Sequence, residues 1–241
     1  LRSGLQVDLR VVPSESYGAA LMYFTGSQAH NIAVRRRAQE LGLKINEYGL
    51  YRGEELVAGH SEEETYGALG CTWIAPELRE DRGEMQRAQE KQLPELVKQN
   101  AIRGDLHAHT TYSDGSASLE EMARAAGDRG YDYLAVTDHS KNLGIANGLD
   151  EKRLGQQLEE IDRFNAEHTD IRLLKGSEVD ILEDGSLDLA DSILHKLDIV
   201  VASVHTSFRL SRKKQTDRMI RAMDNPYTTV IAHPTGRMLG K

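Results

Sequence analysis

Five short apolar runs, each closing on a histidine or a glutamate, set the tightest limit on how this chain can fold. They span residues 102–107, 133–139, 171–178, 199–205 and 229–233, and end at His107, His139, Glu178, His205 and His233. Helical patterns separate them. Ser118 and Glu121 stand at capping-box spacing, and Leu154, Leu158, Ile161 and Phe164 mark an apolar helical stripe. Short buried strands alternating with helices predict a parallel α/β sheet or barrel. In a parallel barrel, functional groups gather at the carboxyl ends of the strands.

His107 and His109 are two apart, so an extended chain points both to one side. Asp114 follows soon after. A single histidine at a strand end is more often a capping or core residue than a ligand. Such residues at five successive strand ends call for a cation, because clustered imidazoles are costly without one to organise them. Mixed His, Asp and Glu ligation without cysteine suits Mn, Zn or Fe. Several ions sharing a carboxylate form a hydrolytic centre suited to phosphorus chemistry, and Glu178 is the best candidate for the shared carboxylate. Lys141, Arg209 and Arg237 lie just beyond ligand positions and are candidates for holding substrate phosphate, against the plainer reading of solvated surface cations. His30, His60, His168 and His195 sit apart from these runs and are expected to be ordinary surface or packing residues.

The rest of the composition narrows the setting. The 241 residues suit one large or two small domains, and 39% hydrophobic with 28% charged residues permit a packed core. Cys71 is the only cysteine, so no internal disulfide forms, which fits a reducing cytoplasm. No run reaches the roughly 20 apolar residues of a membrane helix, and residues 1–12 are too short and charged for a signal peptide. With a net charge of −8, contact with nucleic acid must come from local basic patches or bound cations. The basic stretch 209–221 (Arg209, Arg212, Lys213, Lys214, Arg218, Arg221) is one such patch, or else a solvated helix face.

The first half reads differently. Leu5, Val7, Leu9 and Val11 alternate with Gln6, Asp8 and Arg10, as in a strand with one apolar face and its partners elsewhere. Helices are expected at about 15–24 and 28–41, and a hairpin over 44–51 and 55–58 around Gly53. Ser61 and Glu64 are spaced to cap a further helix ending near Gly70. Residues 79–100 are highly charged and read as a connector at a domain boundary.

His107-Ala-His109, Asp114, Thr137-Asp138-His139, Glu178, Ser203-Val204-His205 and His233-Pro234 resemble, in order and type, the PHP (polymerase and histidinol phosphatase) domain. The resemblance implies a distorted (βα)7 barrel with up to three clustered ions, Mn²⁺ or Zn²⁺. His107, His109 and Glu178 would serve one ion, Glu178, His205 and His233 a second, and Asp114 and His139 a third. A further Asp-x-His of the family pattern lies beyond this chain, so the barrel is expected to be incomplete.

Tyr23-Phe24-Thr25-Gly26, Asn31 with Arg35, and Asn46-Glu47-Tyr48 resemble the thumb of family X DNA polymerases, and residues 73–84 resemble the joint to a PHP domain in bacterial members. That resemblance implies an α/β chain of four parts: 1–14 as the last palm strand, 15–80 as thumb, 81–101 as linker and 102–241 as PHP domain. Asp8 would match the third palm carboxylate, which serves Mg²⁺ or Mn²⁺. Tyr23, Phe24, Gly26, Asn31 and Arg35 would flank DNA and the incoming nucleotide. Gln28 stands where some relatives carry an acid. The first two palm carboxylates are missing, so the chain as given is expected not to polymerise. The implied whole is a monomeric, cytoplasmic, nucleoid-associated bacterial repair polymerase with a 3′-5′ exonuclease, acting on gapped DNA and 3′ ends with dNTPs. Two other readings remain: a small-molecule phosphatase of the histidinol phosphatase type, and a non-catalytic, metal-braced DNA-binding scaffold.

Overall fold

A computed structural model describes residues 6–235 and divides the chain into two compact units, Leu1–Leu96 and Val97–Lys241. The expectations placed on Leu5 and Arg237 lie outside the described residues.

In the first unit, α1 (Tyr17–Thr25) and α2 (Gln28–Glu40) precede a three-stranded antiparallel meander, β1 (Lys44–Asn46), β2 (Gly49–Arg52) and β3 (Glu55–Ala58), then α3 (Glu62–Ala68) and α4 (Glu84–Gln89). The expected hairpin thus has a third strand, because residues 47–48 turn the chain once more before β2. The β2–β3 turn needs Gly53, whose φ of +64° suits a tight hairpin. Ser61 caps α3, its Oγ accepting from Glu64 N at 3.1 Å.

Two expectations are corrected here. Residues 6–13 form no strand despite their alternation. Among the described residues no edge pairs with them, and Val7, Leu9 and Val11 remain exposed. The connector begins later than expected, since Met85 and Ala88 of α4 enter the core with Met22, Val34, Leu50 and Tyr66. His30 is a packing residue, as expected: it is fully buried, with Nδ1 2.6 Å from Glu84 Oε1 and Nε2 2.8 Å from Tyr66 Oη. Burial lowers its pKa, so it sits neutral between an acceptor and a donor.

The start of α1 is satisfied from outside. Gly18 N and Ala19 N donate to the carbonyls of His60 and Gly59 at 3.2 and 3.0 Å. A Cβ on Gly18 would stand 2.1 Å from Ser61 C, which is backbone and cannot turn aside. Gly18→Ala is therefore expected to destabilise this unit by about 3 kcal/mol, the upper range for overpacking. Denaturant titration checks it, and an unchanged midpoint would contradict this packing.

The second unit is a five-stranded parallel sheet in the order β4 (Gly104–Ala108), β5 (Tyr133–Val136), β6 (Arg172–Asp180), β7 (Ile199–Ser203), β8 (Val230–Ile231). Between strands lie α5 (Leu119–Gly127), α6 (Glu151–Glu167), α7 (Asp191–Leu194) and α8 (Arg212–Met223). Spatial order follows chain order, so the sheet winds one way, as a barrel wall does. Leu134, Val136 and Leu173 pack with α5 and α6, while Ala135, Ile199, Val201 and Ala232 form a separate cluster, so the alternation of the strands supplies two apolar faces. The capping box on α5 is complete in both directions. No helix among the described residues is long and apolar enough to cross a membrane.

Candidate metal centre

The carboxyl rim converges on one side chain. Strand β6 is nine residues long against four or five in β4, β5 and β7, so it carries Glu178 past the end of β5. There it bridges His139, and Ser140 N donates to Glu178 O at 3.0 Å. Glu178 is 2% exposed, yet five imidazoles reach its carboxylate. His107 Nε2, His139 Nδ1 and His109 Nε2 stand 3.1, 3.1 and 3.4 Å from Oε2. His205 Nε2 and His233 Nε2 stand 3.2 and 3.0 Å from Oε1, and Ser203 Oγ donates to the same oxygen at 2.6 Å. Asp114 stands on the other side of the stacked His109 and His139 rings, 3.8 Å from His109 Nδ1 and 3.6 Å from His139 Nε2.

These spacings fit cations. Donor atoms about 2.0–2.1 Å from a common ion stand about 3.0 Å apart in an octahedron and about 3.4 Å apart in a tetrahedron. His109 Nδ1 and His139 Nδ1 are buried without a hydrogen-bond partner, although the second is 3.1 Å from a carboxylate oxygen. An aligned proton is missing from that approach, and a positive ion between the two lone pairs would complete it. Three donor sets lie close enough to hold an ion: His107, His109 and Glu178; His109, Asp114 and His139; His139, Glu178 and His205. The first set is the expected one. The second contains the expected pair of Asp114 and His139 and adds His109, and in the third His139 stands with Glu178 and His205 where the resemblance implied His233. The left-handed φ of +31° at His233 is a strained conformation that turns its ring toward Glu178.

Electrostatics follow from the same contacts. Burial alone would raise the Glu178 pKa, but hydrogen bonds from His205, Ser203 and His107 outweigh it and hold the carboxylate far below its usual range. His205 is pushed up to about 9, first by its bond to Asp180 and then by its bond to Glu178. His139 is lowered by burial, which favours the neutral ligand form.

Support for these ligands comes from residues that motif reading undervalued. Asp180 Oδ1 lies 2.6 Å from His205 Nδ1, and Asn142 Nδ2 donates to Asp180 Oδ2 at 2.6 Å. This carboxylate fixes the ring so that Nε2 faces Glu178. Asp138, only 1% exposed, accepts from Thr110 N and Oγ1 at 2.8 and 2.6 Å, from Ser113 Oγ at 2.5 Å and from Gln157 Nε2 at 2.5 Å. It anchors the loop that presents Asp114. The i, i+2 spacing of Glu178 and Asp180 was the available signal for Asp180.

The remaining candidates separate. Lys141 Nζ is 2.5 Å from Glu151 Oε1 and makes no bond to the cluster. Arg218 leaves the supposed basic face: it is 1% exposed and donates to Leu182 O at 2.8 Å, Thr206 O at 2.9 Å and Ile181 O. A buried guanidinium with three carbonyls is a clamp, here on the chain just past Asp180 and His205. Arg209 is exposed. In the first unit, Asn31 Nδ2 donates to Tyr23 O at 2.8 Å, and a Cβ on Gly26 would crowd His30 and Asn31 at 3.0 and 3.2 Å. Phe24 stacks edge-on against Tyr23 and lies under the Arg10 guanidinium, while Arg35 and Asp8 are exposed.

A one-way parallel sheet with imidazoles gathered on a buried glutamate at its carboxyl rim defines an α/β metal-binding domain. Residues 105–236 match the family model of the PHP domain, and the chain belongs to that family. Residues 20–80 match the DNA polymerase beta thumb. The chain is 45% identical over 237 residues to the DNA polymerase/3'-5' exonuclease PolX of Bacillus subtilis, which covers 98% of this chain and 41% of that protein. It is 37% identical over 139 residues to a probable phosphatase of Thermoanaerobacter sp. strain X514, covering 54% of this chain and 53% of the relative. A probable phosphatase of Caldanaerobacter subterraneus is 33% identical over 139 residues. The chain thus spans about two fifths to one half of the length of these relatives.

Proposed function

We propose that this chain is the thumb and nuclease portion of a bacterial family X repair polymerase, whose PHP domain hydrolyses phosphodiester bonds at DNA 3′ ends. The observation that carries it is the buried Glu178 carboxylate with five imidazoles around it, in the same chain as a DNA polymerase beta thumb. The intact protein would fill short gaps with dNTPs as a cytoplasmic monomer.

The PHP site would hold Mn²⁺ or Zn²⁺. His107, His109 and Glu178 are the ligands of one ion, with His139 and His205 joining Glu178 at a second and Asp114 joining His109 and His139 at a third. Ions bound there supply activated water at neutral pH and charge compensation for the departing oxygen. The protein's own part is placement. Asp180 orients His205, Ser203 holds one oxygen of Glu178, and Asp138 fixes the loop that carries Asp114. In the thumb, the Asn31 bond to Tyr23 O sets the turn at Gly26, leaving Phe24 and Arg35 exposed to meet DNA and nucleotide. Asp8 would serve Mg²⁺ or Mn²⁺ in the polymerase site.

His107→Ala in the intact protein is expected to reduce Mn²⁺-dependent 3′ degradation at least about 100-fold, the scale of losing one stabilising group at a reacting centre. Gap filling should persist. Equal exonuclease activity in wild type and variant would sink this mechanism. The phosphatase relatives favour a second reading, a small-molecule phosphomonoesterase. Turnover of histidinol phosphate with none on DNA would establish it instead.

A further inference from the structure

The loop from β7 to α8 leaves the metal centre carrying side chains that the centre does not use. Three residues beyond His205, Phe208 keeps 62% of its surface exposed. Ser207, in the left-handed region with φ of +54°, turns the chain just before it. The turn is held from α8, with Gln215 Nε2 donating to Ser207 O at 2.8 Å and Arg218 Nη1 to Thr206 O at 2.9 Å. Phe208 is therefore displayed by a fixed loop without packing into the core.

One and four residues further along the chain, Arg209 and Arg212 are exposed, and neither pairs with a carboxylate among the described residues. Lys213, in contrast, pairs with Asp217 at 2.6 Å. Phe208 also walls a groove of about 450 Å³ with Val204, Met219, Ala232 and Pro234. His233 lines the same groove, and its Nε2 lies 3.0 Å from Glu178 Oε1. One surface thus joins a member of the ligand cluster, an apolar groove and an aromatic ring, and two unpaired arginines follow that ring in the same loop and the start of α8. A volume of that size suits a nucleoside. An exposed aromatic beside free cations is what a single strand needs, because bases stack and phosphates pair.

We propose that this groove binds single-stranded DNA at its 3′ end. A base flanking the scissile phosphate stacks on Phe208, and Arg209 and Arg212 hold neighbouring backbone phosphates. The proposal rests on the nuclease reading given above and adds to it the element that grips the strand.

The test uses the intact protein and oligonucleotides carrying 2-aminopurine at the last or the penultimate 3′ position, in EDTA so that no bond is cut. Wild type should quench the probe at one of these positions and leave a probe ten nucleotides upstream unchanged. Phe208→Ala should remove the quenching and weaken binding about tenfold, the scale of one lost base stack, while Phe208→Trp restores both. Arg209→Ala with Arg212→Ala should flatten the log–log salt dependence of binding by about 1.4, at about 0.7 per released phosphate contact on single strands. With Mn²⁺, Phe208→Ala should raise KM for the oligonucleotide about tenfold, in line with the lost stacking.

Wild-type quenching and affinity in Phe208→Ala would overturn the groove, even with exonuclease activity intact. Quenching that depends on Phe208 in a protein that never cleaves DNA would instead remove the nuclease reading and leave the groove standing.

Discussion

Glu178→Gln is expected to abolish metal-dependent hydrolysis, with a loss of about 10³-fold or more, while leaving the fold in place. The loss follows from charge. Two of the three donor sets share this carboxylate, and its two oxygens face five imidazoles between them. An amide has nearly the same shape but no negative charge, and its NH₂ would face the His205 and His107 N–H groups that donate to the carboxylate. Removing even one preorganised group at a reacting centre costs about 10²–10³-fold, and Glu178 organises several. Bound metal should fall with activity, and elemental analysis after dialysis reads it directly. The metal-free fold should survive, because the bond from Ser203 Oγ and the His205–Asp180 pair do not require the charge. His233→Ala offers the contrast. Its side chain is 51% exposed and it belongs to none of the three compact donor sets, so the loss should be smaller. Undiminished metal content in Glu178→Gln would remove the carboxylate from the centre of the site.

Much of this arrangement is legible in the sequence because parallel strands put chemistry at a fixed place. Each of the five runs ends on a residue that reaches the cluster, and period-two spacing predicted that His107 and His109 would face the same way. The sequence does not reveal which ions share which ligands. His109 and His139 each lie between two acids, and that depends on ring stacking at 4.4 Å, which no spacing rule encodes. Asp180 was hidden for a related reason, since a carboxylate that supports a ligand looks in sequence like any other, and Asp138, though part of the Thr137-Asp138-His139 motif, gave no sign of its supporting role. Arg218 misled by type: an arginine in a run of cations reads as surface, and only the turn of α8 buries it. Residues 6–13 show the converse limit, where a sound alternation forms no strand because nothing in the described chain pairs with it. The charged stretch after residue 79 also hid two apolar residues, Met85 and Ala88, that seat α4 in the core.

Proton and metal should compete at His205, and the competition sets a second large effect. In the metal-free protein both ring nitrogens face acids, Asp180 at 2.6 Å and Glu178 at 3.2 Å, and the pKa is pushed up to about 9 from 6.5. A raised pKa means that the folded state holds the proton more tightly than the unfolded chain. The stabilisation is therefore complete below about pH 6.5 and is lost as pH rises through about 9, a total of about 3 kcal/mol at about 1.4 per unit. The opposing groups act outside this window. Glu178, held low, contributes above its unfolded value near 4.5, and the neutral His30 and His139 become costly only as pH falls below 6.5. Chelated protein should consequently melt at a lower temperature at pH 9.5 than at pH 6.5. Metal should reverse the trend, because a ligand nitrogen must first release its proton, so affinity rises with pH and loading frees protons into a weak buffer. Asp180→Asn separates the two effects. It removes the largest cause of the raised pKa, so the alkaline loss of stability should shrink. It also removes the support of a ligand ring, so metal affinity should fall about 10–100-fold. If the variant kept the full alkaline loss, His205 would not be the group that holds the proton, and the Asp180–His205 pair would have only a packing role.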